Sequence, residues 1–170
     1  MNKFKNYHHY SISIEGKKEE RKISKLEKEN EKGEMKKVRN FEKPVTESKL
    51  YKIYLAKHRS GVIYVGVTSQ SIRTRLRYGL NPKGKKGYNG YKFKHLNEID
   101  LFIFYFDCFK TEDKRKIIER EMETIEAEIV YLIRNKTGNW PRYQTEIHFH
   151  NLTKKQKKAA HLIYETIKNK

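Results

Sequence analysis

The side chains best suited to chemistry fall in three stretches. Tyr54 and Tyr64 stand ten residues apart in two β-branched, aromatic runs, KIYLA and VIYVG, separated by KHRSG. Alternate residues of a strand share a face, so Tyr54 faces with Lys52, away from Ile53 and Leu55. Tyr64 faces with Gly66, away from Ile63 and Val65. In a hairpin of suitable register both phenols sit on one face beside a glycine, and glycine inside a strand marks close approach by a backbone or ligand. The plainer reading is that aromatics favour strands and that 12 tyrosines scatter through the chain. Next, SIRTRLRYGL sets Arg73, Arg75 and Arg77 within five residues. The fixed guanidinium fork suits phosphate oxygens, although a solvated helix face would look the same. Further on, Glu128 and Glu121 lie at the same edge of a helical stripe made by Ile118, Met122, Ile125, Ile129 and Leu132. A carboxylate there can lean over a sheet as a hard-metal ligand does; its plain reading is a surface glutamate.

These residues need elements to hold them. Leu50–Ala56 and Val62–Thr68 read as a hairpin with a turn at Gly61. Ile72, Leu76 and Leu80 at spacings of four predict a short amphipathic helix, ended by Asn81-Pro82. A short helix is expected over Lys92–Asn97, and the apolar run LFIFYFDCF (Leu101–Phe109) reads as a buried central strand. Thr111 is an N-cap candidate for a helix running to about Lys136 and closed by Gly138. TEIHFH (Thr145–His150) reads as a strand and Lys154–Asn169 as a basic helix. The order β-β-α-(α)-β-α-β-α predicts a small α/β domain, a largely antiparallel sheet flanked by helices. Residues 1–47 mix both charges with little apolar periodicity. They are expected to be a flexible arm or solvated helix, before a domain at 48–150 and a basic helix at 151–170.

The 170 residues carry 39 Lys or Arg against 21 Asp or Glu, a net charge of +18. Residues 51–100 hold 11 basic and 2 acidic side chains, net +9, whereas 101–150 hold 8 and 9, net −1. Such an excess points to nucleic acid, whose condensed counterions are released by Lys and Arg, ahead of an anionic membrane surface. No apolar run approaches membrane-spanning length, and MNKFKNYHHYSISIEG lacks the apolar core of a secretory leader. The single cysteine, Cys108, excludes a disulfide framework or a cysteine-based zinc site and is expected to pack in its apolar strand. The expected compartment is the cytoplasm or nucleoid.

The succession KIY, YVG, an arginine-bearing helix and a glutamate on a later helix resembles the GIY-YIG nuclease family, from about Leu50 to Gln144. KIYLAKHRSGVIYVG matches the paired motif with Lys52 in place of its first glycine. SIRTRLRYG resembles the arginine helix, AEIVYLI the helix of the metal-binding glutamate, and TGNWPRYQ the segment that ends in an asparagine. Some members carry His or Tyr one turn after the arginine; that position here is Gly79, beside Tyr78. The resemblance implies hydrolysis of phosphodiester bonds by a metal-dependent DNA endonuclease of restriction or homing type. Tyr54 would orient or deprotonate the water, Tyr64 would bond the water or phosphate, and Arg75 would stabilise the transition state. Glu128 would hold one Mg²⁺ (or Mn²⁺). Gly66, Tyr78, Gln144 and His148 would be accessory.

Around that site, Arg73, Arg77, Lys83, Lys85, Lys86, Lys92 and Lys94 would hold phosphates, with Tyr88 and Tyr91 stacking on bases or wedging against them. Four lysines open the last helix, where positive charge opposes the macrodipole, which suggests further phosphate contact. Glu146, His148 and His150 alternate as transition-metal ligands can; without a third histidine or cysteine cluster they read instead as a polar face near the site. NPKGKKGYNG lacks the GxxxxGK[ST] order, so no nucleotide cofactor is expected. The partner is double-stranded DNA, without a membrane, and a homodimer stays open. The competing expectation is a basic nucleic-acid-binding module with the same fold and no catalysis.

Overall fold

The computed structural model describes residues 4–17, 20–59, 61–82, 90–106, 114–168 and 170. The expected hairpin forms as β4 (Tyr51–His58) and β5 (Gly61–Thr68). The next strand, β6 (Glu98–Phe106), pairs antiparallel with β4 on its other side. Leu101 to Phe104 are each at most 1% exposed. Both faces of this strand are covered, which is why its sequence is an unbroken apolar run.

The two faces carry different helices. Tyr54, Ala56, Leu101 and Ile103 pack with Ile72, Leu76 and Leu80 of α1 (Ile72–Leu80). On the opposite face Ile53, Leu55, Phe102 and Phe104 pack with Ile118, Met122, Ile125 and Ile129 of α2 (Arg115–Thr137). The last helix, α3 (Lys154–Lys168), closes that layer with Ala160, Ile163 and Ile167. Gly138 ends α2 in the left-handed conformation, φ 80°, as its sequence position predicts. This is an α/β fold with a small antiparallel sheet flanked by helices.

The N-terminal segment departs from expectation. It forms β1 (Tyr7–Glu15), β2 (Lys22–Glu29) and β3 (Met35–Lys37), giving six strands in the order β3-β2-β1-β6-β4-β5. Tyr10 and Ile12 of β1 stand opposite Leu101 and Ile99 of β6. Tyr10, Ile12, Ile14 and Leu26 are buried in the α1-side core. The signal was a period of two, YSISI, diluted by charges on the solvent side. His8 and His9, expected on the arm, lie in β1, where His9 stacks on Phe102 at 4.1 Å.

TEIHFH forms no strand. Its approach to the β5 edge is made by two other bonds: the Tyr143 N–H donates to the Ile63 carbonyl at 2.9 Å, and the Val65 N–H donates to Gln144 Oε1 at 3.0 Å. A side chain thus takes a donor that a ladder would need. The helix expected at Lys92–Asn97 is a 3₁₀ turn, Lys92–His95. Cys108 and Thr111 lie outside the described residues. Among the described residues, no helix is long and apolar enough to cross a membrane.

Candidate active site

The register of the hairpin puts Tyr54 opposite Gly66, so both phenols share the α1-side face, with ring centroids 5.9 Å apart. Gly66 makes this approach possible. A Cβ at that position would lie 2.7 Å from the Tyr54 hydroxyl and 2.8 Å from the Tyr64 ring. Arg75, one turn into α1, donates from Nε to Tyr54 Oη at 3.0 Å. Tyr54 is fully buried, and burial, reinforced by Tyr91, holds its phenol well above the usual range. Tyr64 is only partly buried; desolvation and then Tyr54 push its phenol up as well.

Tyr91 was expected to meet bases, but it is 3% exposed and belongs to the site's interior. Its hydroxyl donates to Tyr54 Oη at 3.0 Å, its ring stacks on Phe93 at 4.6 Å, and the Arg75 guanidinium lies 5.7 Å from its centroid. It fills the space over Gly79, where a Cβ would come within 1.9 Å of the ring. A glycine within the α1 pattern was the sequence sign of a close approach there, without showing which group makes it. Tyr78 points elsewhere. It is 46% exposed, with the Arg77 guanidinium 5.3 Å from its ring.

A cleft of about 430 Å³ opens between the hairpin and α2, lined among others by Tyr64, Arg75, Glu123, Glu126, Glu146 and His148. The carboxylate brought to Arg75 and Tyr64 is Glu126, and Glu128 is not. Residues 126 and 128 are about 200° apart on a helix. Glu128 therefore sits on the other flank of α2, its Oε1 4.0 Å from His161 Nε2, in a shallow groove with Tyr131 and Phe149. The apolar stripe has carboxylates on both edges, Glu119, Glu123 and Glu126 on one, Glu121 and Glu128 on the other. Only packing decides which edge faces the hairpin.

Burial pushes the Glu126 carboxyl up to about 8; a hydrogen bond from Gln144 opposes this, and the charge of Glu123 adds to it. Gln144 is thus an organising residue. Its carbonyl accepts from the Val65 backbone and its amide donates to the Glu146 carbonyl at 3.1 Å. His148 lies at the mouth, half exposed, with Nε2 2.9 Å from Glu146 Oε1, a bond that raises its pKa. His150 leaves this row and bonds Glu123 at 3.1 Å.

The donor set fits a hard cation. Among the described residues Glu126 has no ion pair and no group of three His, Cys, Asp or Glu side chains could cage a metal. A transition metal would lack ligands, whereas Mg²⁺ keeps most of its waters and takes one or two carboxylates. Glu126 is the residue that would hold it.

The phosphate-binding candidates divide. Arg73 and Arg77 are exposed on α1, Lys92 is exposed and Lys94 half-buried; none of these four lines the cleft. Lys83, Lys85, Lys86 and Tyr88 lie outside the described residues. Lys52, at the position of the motif's first glycine, is fully buried. Its ammonium donates to the carbonyls of Glu47, Leu50 and Gln70 at 2.8, 2.6 and 3.0 Å, tying the loop before α1 to the start of β4.

Comparison of the chain with models of known families matched none, and comparisons with curated proteins and with solved structures gave no significant match.

Proposed function

We propose that this chain is a metal-dependent endonuclease of GIY-YIG type that hydrolyses phosphodiester bonds of duplex DNA. The observation that carries the reading is the meeting of Arg75, fixed by Tyr54, with Tyr64 and with Glu126, which has no ion pair among the described residues, in one cleft. A phosphodiester needs a positioned water, a cation for the charge that develops, and help for the leaving oxygen. Arg75 supplies a guanidinium whose orientation is set by the Tyr54 bond rather than found during the reaction. Tyr64, which lines the cleft beside Arg75, bonds the water or a phosphate oxygen. Tyr54 is sealed from solvent and acts as the positioning residue for Arg75, with Tyr91 holding its other side. Ionised Glu126 would hold Mg²⁺ or Mn²⁺, which would supply positive charge to activate a water and offset charge on the phosphate.

The test is incubation of supercoiled plasmid with the protein, with Mg²⁺ or with EDTA. Nicked and linear products should form only with the metal. Arg75→Ala should cut slower by about 10²–10³-fold, the usual cost of removing one transition-state donor. Binding without cleavage, on varied DNA, would favour a non-catalytic binding module instead. Equal cleavage by Arg75→Ala would remove that residue from the chemistry.

A further inference from the structure

We propose that a second groove, on the far flank of α1, holds the sugar–phosphate backbone of the duplex whose scissile bond lies in the cleft; this rests on the nuclease reading above. The groove, about 560 Å³, is built by the N-terminal strands that extend the sheet. Leu26, Val38 and Phe41 form part of its floor, and Lys37, Arg39 and Arg73 bring their charges to it. Among the described residues, no acidic side chain lines it.

These cations are not there to pair with the protein. The register sets Glu27 opposite Lys37, yet the Glu27 carboxylate bonds Lys25 at 2.9 Å. The neighbouring Lys36 has Glu34 at 3.8 Å. Among the described residues the side chains of Lys37, Arg39 and Arg73 make no ion pair or hydrogen bond. Three such cations around one groove repel each other and are offset by a polyanion that bridges them.

Position selects the polyanion. Ile72, Leu76 and Leu80 press α1 onto the sheet. At 100° per residue, Arg73 and Arg75 are about 200° apart and occupy opposite flanks of the helix. The groove and the cleft therefore lie on either side of α1, with exposed Arg77 near its outer surface. A helix is ~10–12 Å across, and the major groove of B-DNA is ~12 Å wide. A duplex laid over α1 presents phosphates to both flanks, the cleft taking one strand and the groove the other. A single strand has one backbone and reaches only one of them.

The test is fluorescence anisotropy of the full chain with a labelled random-sequence duplex, in EDTA so that cleavage plays no part, as a function of salt. Lys37→Gln/Arg39→Gln should raise Kd about 10- to 100-fold near 0.1 M salt and flatten the slope of log K against log salt by about 2, the loss of two phosphate contacts. Lys136→Gln/Lys168→Gln, which removes the same charge from the α2–α3 face, should leave the slope unchanged. The same duplex's single strand should bind with a slope that the groove substitutions do not alter. Wild-type slope and affinity in the groove variant would overturn the proposal while leaving the nuclease reading intact, and the lysine would then serve only to block the β3 edge. Equal losses in both variants would also overturn it, showing a response to net charge alone. Absence of wild-type binding to any duplex would remove both.

Discussion

Glu126 sits where its charged form is disfavoured, with its carboxyl pushed up to about 8 by burial. An unfolded carboxyl titrates near 4.5, so between these values the folded chain binds the extra proton. The resulting stability is fully present below about 4.5 and is lost as pH rises through about 8. Glu126→Gln keeps the shape without the titration. The variant should gain on wild type by an order of 1–3 kcal/mol between pH 5 and pH 9, read as a widening gap in Tm; a constant gap would show that the carboxyl is not desolvated. A group kept at a cost to folding is what a cation site requires. At this scale the sequence was legible where its period decides the face. Tyr54, Tyr64 and Gly66 follow from alternation along two strands, and Arg75 from a short helix with one apolar stripe. Glu126 was not legible, because α2 carries carboxylates on both edges of its stripe. Tyr91 was not, because its role depends on the space over Gly79.

Elements with one covered face and a charged open face are harder to read than fully buried ones. The run Leu101–Phe106 of β6 is unbroken apolar and plain in the sequence; β1 and β2 set their fully buried apolar residues on one face among polar neighbours and resemble a solvated arm. Their burial is nonetheless complete at Tyr10 and Ile12, which are 0% and 1% exposed. Ile12→Ala should therefore cost ~2–4 kcal/mol by chemical denaturation, whereas an arm would leave stability unchanged. The segment 145–150 failed in the opposite sense. Its alternation suits a strand, but Tyr143 and Gln144 have already taken backbone groups of the β5 edge. The chain then passes over α2, with His150 on Glu123 and Ile147 in the α2-side core. What the alternation encodes here is a polar rim of the cleft, with Glu146 and His148 facing it.

Across the whole molecule the +18 charge falls on both faces of the sheet, since α3 sets Lys154, Lys155, Lys157 and Lys158 on the α2 side. The α1 side carries Arg73, Arg75 and Arg77 and the groove of the N-terminal strands. The acidic edge of α2 meets Arg75 in the cleft, so on the proposed reading positive charge would collect phosphate where Glu126 would hold a cation. The fold class and the hairpin–helix unit were legible in the sequence, while the joining of the N-terminal third to that unit was not, since no local pattern says which edge of β6 is open. The central claim is that chemistry resides in the cleft that Glu126 faces, and not on the flank of α2 that holds Glu128. The most direct measurement is single-turnover cleavage of plasmid with Mg²⁺ by Glu126→Gln and Glu128→Gln side by side. Glu126→Gln should lose ~100-fold or more, as loss of a metal-held charge does, with Glu128→Gln within a few-fold of wild type. Full activity in Glu126→Gln, or the loss falling on Glu128→Gln, would contradict the account.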